Sequence, residues 1–243
     1  MNPATPSNDS PKAPLRAPLW IAIYVVAMTA LESLVPAAAV TLWRAPLVAA
    51  LSLALVLALR KRDAFAFYGF VKPKPGAMRG ALYGLPLVAL ATANLWQGAT
   101  LRYGPLETAA YVAAMIGVGF LEETIFRGIL FKALLRRSER LAVVVSSVTF
   151  GLGHIVNLLS GAATLDTAAQ IVYAIAVGFM LSVFVLRVGS IVPCIAFHAA
   201  FNSLSAFGVE PAGTTASLVV AGAITALALG YAGFLWRLPR AAD

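Results

Sequence analysis

The residues best suited to chemistry in this chain stand in its most apolar stretches. Glu122 and Glu123 sit together in Phe-Leu-Glu-Glu-Thr-Ile-Phe-Arg, which runs from Phe120 to Arg127. The chain has two histidines: His154 follows Phe150-Gly151-Leu152-Gly153, and His198 opens His198-Ala199-Ala200-Phe201-Asn202. A carboxylate, two imidazoles and a carboxamide can move a proton and stabilise a developing oxyanion. An ionisable side chain at mid-membrane depth costs about 2.5–3.5 kcal/mol on insertion scales, so its default reading is functional.

Spacing separates the roles. Successive residues on a helix are rotated by about 100°, so Glu122 and Glu123 face different neighbours. Glu123 precedes Arg127 by four residues, the favourable order for an ion pair along one helix face. Glu122 has no such partner on its helix, and a carboxylate stripped of water is a stronger general base. Asn202 lies one turn beyond His198 on the same face. By helical rise Glu122 is roughly 21 Å from Arg136, His154 roughly 21 Å from Arg140 and His198 roughly 16 Å from Arg187. Three helices therefore carry their polar groups to a similar level. The plainer alternative is a polar bundle core in which each group only satisfies a hydrogen bond.

The elements that hold these groups must be membrane helices. Of 243 residues, 60% are hydrophobic and 12% charged, and the mean hydropathy is +0.87. Soluble domains carry about 25% charged residues, and disorder needs low hydrophobicity, so both are excluded. The expected fold is all-α: a polytopic transmembrane bundle of about eight spans, with a catalytic cavity among the helices of the C-terminal half. The spans are expected at residues 19–43, 45–59, 81–96, 108–135, 141–159, 168–186, 188–207 and 215–235. Residues 1–18 read as a disordered cytoplasmic tail, 19–107 as N-terminal helices with a basic loop, 108–207 as the catalytic core, and 208–243 as a final helix and tail. The first span is expected to be retained, Glu32 interrupting what would otherwise resemble a secretory signal with Ala37–Ala39 as its cleavage site.

Alternating the spans puts 16 of the 18 Lys and Arg residues on one side and leaves Arg44 and Arg102 on the other. Basic loops are cytoplasmic, so both termini are expected in the cytoplasm of a cell-membrane protein. The net charge of +8 then reflects contact with anionic lipid and not nucleic acid. Phe65 to Phe70 reads as an interfacial aromatic segment. The Gly80/Gly84 and Ala174/Gly178 pairs, with Gly151, Gly153, Ala199 and Ala200, read as sites of close helix approach. The single Cys194 excludes an internal disulfide. Although it sits one turn before His198, it reads as a small core residue.

The ordered set Glu-Glu-x-x-x-Arg, Phe-x-x-x-His and His-x-x-x-Asn resembles the CAAX protease and bacteriocin-processing family of intramembrane proteases, which includes the type II CAAX prenyl endopeptidase. The resemblance spans Glu122 to Asn202. It implies a helical bundle whose cavity opens towards the cytoplasm and membrane, and hydrolysis of a peptide bond in a membrane-associated peptide or protein. Glu122 and His154 would activate water, His198 and Asn202 would bind the oxyanion, and Glu123 with Arg127 would support the site. No cofactor is favoured; a zinc version would use Glu122, His154 and His198 as ligands, but His-Glu-x-x-His is missing. Two further readings are an ion-coupled transporter, which would favour internal symmetry that the sequence lacks, and a non-catalytic immunity or scaffold protein. The abundance of Ala, Leu and Val, with Arg exceeding Lys, suggests a bacterial source.

Overall fold

Prolines and glycines decide where the apolar stretches begin and end as helices. The computed structural model describes residues 14–73, 84–159 and 161–238, and within them the chain is all helical. Pro18 occupies the first turn of α1 (Ala17–Leu34), where its missing N–H costs nothing. Pro36 then ends the helix, because the residue before a proline is driven out of the helical region. Val35 is accordingly extended (φ −102°, ψ 132°), and α2 (Ala37–Lys61) begins immediately. The first break therefore falls at 35–36 and not, as expected, at Arg44. Arg44 lies inside α2, where it forms an ion pair back to Glu32 of α1.

The third expected span holds the short α3 (Leu85–Ala91); residues 81–83 and Gly80 of the Gly80/Gly84 pair lie outside the described residues. Pro105 starts α4 (Pro105–Leu135), and Ser138 caps α5 (Glu139–Leu158), whose last turns, Gly153–Leu158, tighten to a 3-10 helix. Gly189, at φ 75°, ends α6 (Thr164–Val188) in a left-handed turn that favours glycine. Pro193 lies in the first turn of α7 (Val192–Phe207), and α8 (Gly213–Arg237) follows. By length and composition α1, α2, α4, α5, α6 and α8 can each cross a membrane, and α7 is a shorter apolar helix.

Helix α4 lies at the centre of the packing. It packs on α2 along one side and on α7 along the other, while α6 packs between α5 and α8. Midway it widens into π turns over Thr124–Leu130. Such turns upset the regular backbone pairing, which away from water must be made good by side chains. Ser146 of α5 does so, its hydroxyl donating to the Phe126 carbonyl at 2.8 Å.

The last residues of the tail expected through residue 18 overlap the start of α1 at Ala17. Residues 1–13 lie outside the described residues, but Leu15 is buried and its N–H donates to the Tyr68 hydroxyl at 2.8 Å. The aromatic stretch 65–70 folds into turns under α4, with Phe65 and Phe70 edge to face at 5.4 Å and Phe70 tilted on Phe120. Ser190 and Ile191 bond back to this segment through Val71 and Gly69. At the opposite end Thr100 and Val209 tie segment 98–102 to segment 206–209 through backbone bonds.

Candidate active site

Helices α4 and α7 approach closely because Gly119 faces Ala199. A Cβ on Gly119 would stand 2.7 Å from the Ala199 nitrogen. One turn further along α4, this contact brings both glutamates to His198. The His198 Nδ1–H donates to Glu123 Oε1 at 2.8 Å, and Nε2 faces Glu122 Oε2 at 3.3 Å. A carboxylate thus fixes the ring on one side and leaves the other nitrogen aimed at the second carboxylate. Adjacent residues on a helix point to different neighbours, yet one imidazole bridges them.

The ion pair read from spacing is present: Arg127 Nη1 donates to Glu123 Oε1 at 3.1 Å. Both side chains are wholly buried, whereas Glu122 keeps 13% of its side chain exposed. That difference decides which carboxylate water can reach. The Arg127 guanidinium also lies 4.2 Å from the centre of the Phe150 ring, a cation–π contact that helps to hold a charge out of water. Room for it comes from Gly178, where a Cβ would stand 3.2 Å from Arg127 Nη2 and 3.0 Å from the Ser147 Cα. Gly151 likewise packs on the α6 backbone. Gly153 does not serve close approach as expected: nothing lies within 4 Å of its would-be Cβ, and it lines a cavity of about 330 Å³ that Tyr24, Glu122 and His154 also border.

Phe150 organises both imidazoles. Its ring meets His154 edge to face at 5.4 Å and His198 at 5.7 Å, and its carbonyl lies 3.3 Å from His154 Nδ1. Glu122, His154, His198 and Asn202 all line one cavity of about 380 Å³. Asn202 is held near it by Asn94, whose amide donates to the Phe201 carbonyl at 2.6 Å. Cys194 is elsewhere, buried in the apolar core with its thiol 3.9 Å from the Leu181 carbonyl.

The cavity is not built by the C-terminal half alone. Tyr24, Met28 and Glu32 of α1 and Arg44 of α2 complete its wall. The Tyr24 hydroxyl donates to Glu122 Oε1 at 2.7 Å, so each Glu122 oxygen has its own neighbour. Sequence reasoning overlooked these residues. The signal was present as a four-residue repeat of Tyr24, Met28 and Glu32 on one helix face. Asn157 and Gln170, hydrogen-bonded at 2.8 Å, form another part of the rim.

Both nitrogens of His198 are directed at carboxylates, and among the described residues no group of three or more His, Cys, Asp or Glu side chains is disposed to hold a metal ion.

Residues 104–204 match the family described as type II CAAX prenyl endopeptidase Rce1-like. This segment is an Rce1-like domain. It runs from the start of α4 almost to the end of α7 and contains all four motif residues that line the cavity. Neither the curated proteins nor the solved structures give a match. The Rce1-like domain thus ends short of α8, and Tyr24, Glu32 and Arg44 lie outside it.

Proposed function

We propose that this protein is a glutamic-type intramembrane endopeptidase acting on a membrane-associated peptide or protein. Glu122 takes a proton from a water molecule that His154 helps to orient, and the hydroxide so formed attacks the scissile carbonyl carbon. With His198 doubly protonated, Glu123 holding its Nδ1–H, the carbonyl oxygen becomes an oxyanion that accepts from the Nε2–H and from the Asn202 amide, donors that stabilise the charge as it develops. The C–N bond then breaks, and Glu122 returns its proton to the leaving amine. Glu123 and Arg127 act through His198: the carboxylate holds Nδ1, and the guanidinium holds the carboxylate.

What carries this reading is the asymmetry between the two glutamates. One is sealed in an ion pair and the other is open to the cavity, held by Tyr24 and facing His198.

Purified Glu122→Gln in lipid should still bind a cleavable peptide while its turnover falls by at least about 10²-fold, the usual range for a lost acid–base group. Undiminished cleavage would remove Glu122 from the reaction. A chelator should leave wild-type cleavage intact. Loss of activity that returns on adding zinc would favour the zinc version instead.

A further inference from the structure

The cavity belongs to one end of the bundle. Met28 and Glu32 lie in the second half of α1 with Tyr24 just before its midpoint, Arg44 lies early in α2, and Asn157 is in the last turn of α5. Gln170, from the second turn of α6, adds to the same rim. At that end the described Lys and Arg residues are Arg44 and Arg102, each ion-paired, to Glu32 and Glu210. The basic residues of segment 60–72, of the turn between α4 and α5, and of the C-terminal ends of α6 and α8 all lie at the opposite end. That end is closed over by the 65–71 turns and their bonds to Leu15, Ser190 and Ile191.

Lys and Arg near span ends mark the cytoplasmic side. We infer that the cavity opens on the extracytoplasmic face, so that its substrates are peptide segments of exported or membrane-anchored proteins presented on that side. This departs from the cytoplasmic opening that the family resemblance implies. The nature of the substrate rests on the protease reading, whereas the side of access rests only on charge and cavity geometry. The rim suits a polar, uncharged backbone: Asn157 and Gln170 offer amides, and the one basic side chain, Arg44, is neutralised by Glu32.

The test is labelling of the full chain in intact cells with a membrane-impermeant sulfonated maleimide. Native Cys194 is wholly buried and serves as the unlabelled reference. Asn157→Cys, on the rim, should be labelled to the same extent before and after the cells are permeabilised, and Arg137→Cys, at the basic end, only afterwards. Gln170→Cys repeats the measurement if Asn157→Cys fails to accumulate. The reversed pattern overturns the proposal, and so does rim labelling that appears only after denaturation. The two readings fail separately. A protein that labels as expected yet cleaves no peptide refutes the protease reading and leaves the side of access standing. One that cleaves and labels in reverse refutes the side of access alone.

Discussion

The two ends of this bundle handle polar groups in opposite ways. At the basic end, exposed Arg and Lys residues surround a plug of turns in which Tyr68 is 2% exposed and its hydroxyl serves only to accept the Leu15 N–H. At the other end both described arginines are paired, Arg44 with Glu32 and Arg102 with Glu210, and the polar side chains line open space. Two tyrosine hydroxyls mark the contrast, Tyr68 as a structural brace and Tyr24 as a donor to the cavity carboxylate of Glu122. Burial at one end holds the fold together, whereas partial exposure at the other leaves Glu122 able to meet water.

The largest effect should come from the layer between the two ends. Arg127→Met would leave Glu123 charged and buried without its partner, a change that typically costs about 3–5 kcal/mol. Thermal unfolding should show a large fall in Tm, and adding Glu123→Gln should recover most of it. If the double variant is no better than the single, the pair is not what holds this layer. Next in size is Gly119→Val. It would force α4 from α7 at the Ala199 backbone, costing about 1–3 kcal/mol of stability by overpacking and separating His198 from both glutamates. Cleavage should fall by more than the loss of folded protein accounts for.

One substitution made at both tyrosines sharpens the comparison. Tyr24→Phe removes a hydrogen bond of about 0.5–1.5 kcal/mol; if the bond acts in the transition state, kcat falls roughly 2–12-fold with Tm nearly unchanged. Tyr68→Phe should do the reverse, lowering stability by about 1 kcal/mol with kcat intact. Equal effects on kcat would erase the distinction between brace and donor.

The smallest expected effect is a pH slope at the basic end. Burial pushes the Tyr68 phenol above its ordinary value of 10.0, so the folded state holds the proton longer than the unfolded chain. Below pH 10 that preference adds full stability. As pH rises past 10 the unfolded phenol ionises first and stability declines, until the folded group ionises too. Unfolding measured against pH should lose this alkaline slope in Tyr68→Phe.

Much of the site could be read from spacing along single helices. The Glu123–Arg127 pair needed only a separation of four, and His198 and Asn202 needed only one turn to share the cavity wall. What spacing could not show was that Glu123 also grips His198, 75 residues away, or that Tyr24 bonds Glu122 from 98 residues away. The span boundaries failed at Arg44 for a related reason. A charge in an apolar run reads as a loop unless its partner across the turn is known, while Pro36 carried the true break. Gly119 was likewise invisible, since a lone glycine in a helix gains meaning only from the backbone it faces.

Composition and period sufficed for an all-helical membrane chain with acid, imidazole and amide groups set deep in its spans, because the cost of placing polar groups in lipid applies to each helix alone. Which carboxylate is sealed, which faces water and towards which end the cavity opens were decided by packing. Those properties depend on the distances between helices, and a one-dimensional pattern holds no term for them.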